Sequence, residues 1–221
     1  QELGQLDTAI KHYEKALEIK PDYTEAFNNL GSVLKELGQL DTAVKSYEKI
    51  LAIKPDFAEA HYNLGVTLQE LGQLDAAVKS YDQALAIKPD YAEAFNNLGI
   101  VLKELGQLDT AVKSYEKILT IRPDFAEAHF NLAVTLQELG QLDAAVKSYE
   151  QAIAIKPDYA EASNNLGIVL KELGQLDKAV KCFEKALSFD SDNNFLWSSF
   201  SKNLRSIEFL EFNDSTASCL L

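Results

Sequence analysis

The feature that most constrains this chain is a period of 34 residues, marked by Gly31, Gly65, Gly99 and Gly167 with Ala133 at the remaining step. A unit this short cannot bury its own apolar face. It does so by stacking against its neighbours, so the chain grows by addition and not around one central core.

Each unit reads as two amphipathic helices. In Ala58 to Tyr91, apolar residues recur at helical spacing as Leu64, Leu68 and Leu71, then as Leu74, Ala77, Val78, Tyr81 and Leu85. The spacing predicts helices over about 58–71 and 74–87. Pro55-Asp56 stops the preceding helix, because proline cannot continue the hydrogen-bond ladder and restricts the residue before it. Asp56 and Glu59 have the spacing of a capping box, and the pair recurs as Asp22/Glu25, Asp90/Glu93, Asp124/Glu127 and Asp158/Glu161. Gly72 falls where the first helix ends, a place that favours positive φ. Gly65 and Ala77 are small where two helices approach closely, and Ala133 should add one methyl there at the cost of a small shift.

The predicted fold is therefore all-α. A partial unit occupies residues 1–22, with Leu6, Ile10, Tyr13 and Leu17 on one helical face, and five full units occupy residues 23–192. Residues 193–221 form a degenerate tail. Phe195, Trp197, Phe200 and Leu204 continue at helical spacing, so a capping helix is expected from Asn194 to about Ile207. Asp214-Ser215 looks like a cap before the apolar run that ends at Cys219, Leu220 and Leu221, as though a further segment followed.

A longer period overlies the short one. Residues 24–57 and 92–125 differ at four positions, and so do residues 58–91 and 126–159. A block of two units looks copied whole, so any binding surface should alternate in character from one unit to the next.

Leu64-Gly65, Gly72, Ala77, Tyr81, Ala84 and Pro89 fall in the order and spacing of the tetratricopeptide repeat, which the unit resembles. That family's usual Trp near the start of the unit is replaced by Phe27, His61, Phe95, His129 and Ser163. The resemblance implies a right-handed α-α superhelix whose first helices line a concave face, and residues matching the inward positions form rows. One is Asn29, Asn63, Asn97, Asn131 and Asn165. The row one residue earlier is Asn28, Tyr62, Asn96, Phe130 and Asn164. A third is Ser32, Val66, Ile100, Val134 and Ile168. A fourth alternates Lys35, Lys103 and Lys171 with Gln69 and Gln137, beside Glu36, Glu70, Glu104, Glu138 and Glu172.

Asparagine is a mediocre helix former, roughly 0.6 kcal/mol worse than alanine per site. Its amide can pair with both the N–H and the C=O of a passing backbone. The row is similar to the asparagine ladder in the repeat domain of O-linked N-acetylglucosamine transferase. The alternative is that each Asn bonds only its own helical turn. Tyr62, Phe130 and the aliphatic third row would add apolar contact, and Lys35, Lys103 and Lys171 would favour acidic stretches. A clamp for a chaperone's C-terminal carboxylate is not expected, because the third row lacks a second Asn and one lysine position of such clamps is always Glu.

A net charge of −13 argues against a phosphate-backbone partner, which needs Lys and Arg to displace counterions. No apolar run reaches the roughly 18 residues that spanning a bilayer requires. Two cysteines, Cys182 and Cys219, offer neither a metal spacing nor a disulfide framework, which suits a reducing, cytoplasmic setting. His12, His61 and His129 are far apart, no serine has a matching base, and the GQL turns lack the Lys and hydroxyl of a phosphate loop. Neither catalysis nor a cofactor is expected. The leading expectation is a scaffold that binds an extended peptide. Bacterial proteins with such units often carry a glycosyl-, methyl- or sulfotransferase domain after them, so a substrate-selecting arm is a second expectation. Head-to-tail self-association through an open stack end is a third.

Overall fold

The computed structural model describes residues 2–189, 193–194 and 196–203. Among them eleven helices have defined bounds: α1 (Glu2–Ile19), α2 (Thr24–Glu36), α3 (Leu40–Ile53), α4 (Ala58–Glu70), α5 (Leu74–Ile87), α6 (Ala92–Glu104), α7 (Leu108–Ile121), α8 (Ala126–Glu138), α9 (Leu142–Ile155), α10 (Ala160–Glu172) and α11 (Leu176–Phe189). Residues 196–203 are also helical. Ser191-Asp192, Phe195, Leu204, the proposed helix end at Ile207, the Asp214-Ser215 cap and Cys219 lie outside the described residues.

The chain divides into two compact units, residues 1–114 and 115–221. In the first, consecutive helices pack from α1 through α6, and the first helices of successive repeats touch as α2 with α4 and α4 with α6. In the second, α8 packs on α9, α9 on α10 and α10 on α11, and α8 touches α10.

One arrangement sets the spacing inside every repeat. The second-helix aromatics Tyr47, Tyr81, Tyr149 and Phe183 are almost fully buried. Tyr47, Tyr81 and Phe183 each lie beneath the glycine that marks the period. A Cβ added to Gly31 would meet the Tyr47 ring at 2.7 Å, one on Gly65 the Tyr81 ring at 2.7 Å, and one on Gly167 the Phe183 ring at 2.6 Å. The bare glycine backbone thus lets an aromatic ring close against the partner helix, and a buried ring of that size stabilises by roughly 1.5–3 kcal/mol. Ala43, Ala77, Ala145 and Ala179, one turn earlier on the second helices, have no exposed surface.

The turns follow from chemistry too. Gly72 has φ 71°. Its N–H donates to the Gln69 carbonyl and the next N–H, of Gln73, to the Leu68 carbonyl, both at 2.9 Å. This double closure satisfies two carbonyls that the helix end would orphan.

The helix starts depart from expectation. Phe57, not Asp56, is the residue at the cap of α4, and no side chain caps it. Tyr23, Tyr91, Phe125 and Tyr159 hold the same place on α2, α6, α8 and α10, again without a capping side chain. The ring at the cap lies under the cation of the preceding Lys-Pro or Arg-Pro. Lys54 stands 4.9 Å over Phe57, Lys88 4.4 Å over Tyr91 and Lys156 4.7 Å over Tyr159. That contact sets the entry angle in place of a capping box. Glu59 and its equivalents remain in the first turn, where a carboxylate complements the helix dipole.

Candidate functional site

Five first helices, α2, α4, α6, α8 and α10, carry the rows read from the sequence. Each amide of the main Asn row lies one position past a residue that packs toward the neighbouring helix, and this determines its bonding. In residues 1–114, Asn63 Nδ2 donates to Asn28 Oδ1 at 3.0 Å, and Asn97 Nδ2 donates to the Tyr62 hydroxyl at 3.2 Å. Asn28 Nδ2 in turn donates to Glu59 Oε1 at 3.2 Å. The rungs are therefore tied sideways to the preceding repeat, not into their own turns. Asn29 is exposed, while Asn63 and Asn97 are half-buried.

In residues 115–221 the register continues. Ser199 stands 34 positions after Asn165, and its hydroxyl donates to Asn164 Oδ1 at 2.8 Å, the same sideways tie. Asn165 Oδ1 accepts from Asn164 Nδ2 at 3.3 Å. Asn131 and Asn165 are half-buried, and Asn164 is only 1% exposed. Trp197, expected on the apolar face of a capping helix, is 47% exposed and meets Phe200 edge-on at 6.1 Å. Leu196 beside it is buried instead.

Tyr62 and Phe130 are wedged between rings. Tyr62 lies 4.9 Å from Tyr91 and 6.1 Å from Tyr81; Phe130 lies 5.0 Å from Tyr159 and 6.0 Å from Tyr149. Phe130, Phe125, Tyr159 and Asn131 line a cleft of about 420 Å³. Burial pushes the Tyr91 and Tyr159 phenols up to about 12, helped at Tyr91 by Tyr62 and Glu59 and at Tyr159 by Glu161 and Glu127.

Sequence reasoning overlooked the polar ends of the second-helix tyrosines. The Tyr81 hydroxyl donates to Gln69 Oε1 at 3.0 Å and the Tyr149 hydroxyl to Gln137 Oε1 at 3.1 Å. Burial raises both phenols above their ordinary value, while hydrogen bonds to Asn97 and Asn165 respectively oppose the rise. These tyrosines read as core residues, and so they are; the available signal was the fixed spacing of 12 residues between each Gln and its Tyr.

Lys35 Nζ is paired with Glu70 Oε1 at 3.0 Å, and Lys171 Nζ donates to Asn203 Oδ1 at 2.6 Å. Lys103 is half-buried on α6. The ring nitrogens of His61 and His129 contact the Pro55 and Pro123 carbonyls at 3.0 Å. Among the described residues, no group of three His, Cys, Asp or Glu could hold a metal, and no helix is long and apolar enough to cross a membrane.

Repeats of this length, paired helices with a ring under a small residue and a glycine turn between them define a helical-repeat protein of the superhelical class. The TPR repeat profile matches residues 2–38, 31–72, 67–106, 101–140 and 135–174, and the tetratricopeptide repeat profile matches residues 160–193. The chain belongs to the tetratricopeptide-repeat family. Among solved structures it is similar to the MamA protein, at 27% identity over 76% of this chain and 92% of that one, with a TM-score of 0.71. It is similar to TTC0263, a thermophilic TPR protein of Thermus thermophilus, at 26% identity over 82% and 98%, with a TM-score of 0.61. In fold it also matches YrrB, described as a TPR protein with an unusual peptide-binding site, at 23% identity over 85% and 96%, with a TM-score of 0.70. No curated protein matches the chain.

Proposed function

We propose that this chain is a protein-interaction scaffold whose first-helix face receives an extended polypeptide through the row Asn29, Asn63, Asn97, Asn131 and Asn165. The observation that carries the reading is the sideways tie. One amide hydrogen of Asn63 is spent on Asn28 and one of Asn97 on Tyr62. An amide has two hydrogens and an oxygen, so this bond pins the side chain in one rotamer; Asn63 keeps its second hydrogen and its oxygen for a passing main chain, while Asn97, bonded also to the Tyr81 phenol, offers its oxygen. Pinning lowers the entropy lost on binding. Tyr62 and Phe130 add apolar surface beside the rungs, and Phe130 does so at the edge of an open cleft of about 420 Å³. MamA and YrrB share the architecture, and YrrB is a TPR protein with a peptide-binding site of its own.

The test is peptide selection on the immobilised chain, followed by affinity measurement on the Asn63→Ala/Asn97→Ala/Asn131→Ala variant. Main-chain pairing through the row predicts a loss of affinity of similar size for selected peptides of unrelated sequence. Unchanged affinity would reject the ladder.

A further inference from the structure

One repeat lacks the ring that the other full repeats supply to the same place. Phe27, His61, Phe95 and His129 stand at equivalent positions, and the fifth residue of that row is Ser163. α10 repeats the 13-residue sequence of α6 with this single change. The surroundings repeat as well. Ala154, Pro157 and Leu166 match Ala86, Pro89 and Leu98, and Ile153 takes the place of Leu85. Together with Ser163 and Cys182 they line a cleft of about 450 Å³ among α9, α10 and α11. We infer that this cleft binds a free small molecule carrying a neutral imidazole ring, which sits where the other repeats place a ring of their own. No residue of the Asn row lines it, so the inference stands apart from the peptide-binding reading.

Three observations select that chemistry. The Ser163 side chain has no exposed surface, and its hydroxyl has no hydrogen-bond partner. A buried hydroxyl left unpaired costs free energy, and a polar ligand atom set against it removes the cost. The ligand therefore needs a polar atom as well as an apolar body. The other repeats show what the nearby carbonyl takes. Ring nitrogens of His61 and His129 lie 3.0 Å from the Pro55 and Pro123 carbonyls, and a carbonyl only accepts, so the ring donates. Pro157 is the equivalent residue in this repeat, six positions before Ser163, and it lines the cleft. A neutral imidazole answers both groups: its N–H donates to the Pro157 carbonyl and its bare nitrogen accepts from the Ser163 hydroxyl. Benzene answers neither. The third observation is Cys182, which stands where Ser46, Ser80, Ser114 and Ser148 stand and packs as a small apolar group. Burial pushes its thiol up, Lys185 opposing and Glu150 adding, so the wall stays neutral and the ligand is held without a covalent bond. The volume falls in the ordinary range of small-molecule sites.

The experiment titrates the 221-residue chain with imidazole, with benzene and with a blocked pentapeptide carrying one central histidine, and follows backbone amides by NMR. It is run at about pH 8.5, above the ordinary histidine range, so that the ring is neutral. Imidazole should shift the amides of Ser163, Leu166 and Cys182 before any others and bind more tightly than benzene. Ser163→Phe gives α10 the sequence of α6 and should weaken imidazole at least about tenfold, because the added ring takes the space. Ser163→His serves the same end should the Phe variant fail to fold. Ser163→Ala should weaken imidazole about fivefold or more, because a ring nitrogen loses its donor, and leave benzene unchanged. The inference is overturned by no shift at millimolar imidazole, by equal affinity for benzene, or by binding that survives Ser163→Phe and Ser163→His. Tighter binding of the pentapeptide than of imidazole would also overturn it, since the ring would then come from a partner chain.

Discussion

The two kinds of repeat differ most at one position on the first helix. In α2 that residue is Asn28, in α4 it is Tyr62 and in α8 it is Phe130. Asn28 offers an amide oxygen to the next rung, and Tyr62 offers a hydroxyl to the rung after that. Phe130 has neither, so Asn165 finds no acceptor behind it, and its Oδ1 accepts from its own neighbour Asn164. Blocks that differ at four positions are thus not interchangeable. A single oxygen, present on Tyr62 and absent from Phe130, decides whether the residue behind a rung can accept its bond. The packing around it hardly changes: ring-to-ring distances of 4.9 and 6.1 Å in the one become 5.0 and 6.0 Å in the other. Core geometry has been copied faithfully while the polar links have drifted.

The strongest way to break this comparison is to strike what both kinds of repeat share. Tyr81→Ala removes a ring with no exposed surface. It should cost about 3–5 kcal/mol in chemical denaturation, and Tyr149→Ala a similar amount. Clearly unequal losses would mean the two cores are not equivalent after all. Next in size is the exchange of Gly65 and Ala133. A Cβ at Gly65 begins 2.7 Å from Tyr81, so Gly65→Ala overpacks. About 1 kcal/mol of helix propensity offsets part of that strain, leaving a net loss of roughly 1 kcal/mol. The reverse change, Ala133→Gly, should cost about 1 kcal/mol through propensity alone. A stabilised Gly65→Ala would show that the Tyr81 ring yields to the added methyl at little cost. Smallest and most pointed is the hydroxyl. Tyr62→Phe should cost about 0.5–1.5 kcal/mol, because it deprives Asn97 of its acceptor. The side-chain amide resonances of Asn97 should shift by NMR. Phe130→Tyr should move those of Asn165 toward the pattern of Asn97, and unmoved resonances would dissociate the rungs from the residue behind them.

Much of the architecture was legible before any coordinates. A period of 34 residues, a glycine at the end of each first helix and small residues where helices approach led directly to stacked helix pairs. The caps were misread because Asp followed by Glu three residues on satisfies the capping pattern. The cation over the aromatic ring depends on a loop contact that no local pattern displays. First helices of successive repeats touch as α2 with α4, α4 with α6 and α8 with α10, as stacking of the units implies. The bonding of the rows was not legible, because it joins residues 35 apart and turns on whether a given side chain ends in an amide, a phenol or a bare ring. The partner of Lys35 was hidden for the same reason: Glu70 belongs to the next repeat.

The ties between rungs run one way. Asn63, Asn97 and Ser199 each reach back toward the amino terminus, and none of these three bonds points forward. Repeats in such an array therefore have an order as well as a count. Each newcomer must find an acceptor for its rung on the helix already in place and supply acceptors such as Glu59 and Glu70 in return, so shuffling units of near-identical sequence would leave some links unmade. A designer who lengthens this protein should add repeats in pairs, after a helix that ends its row in Asn.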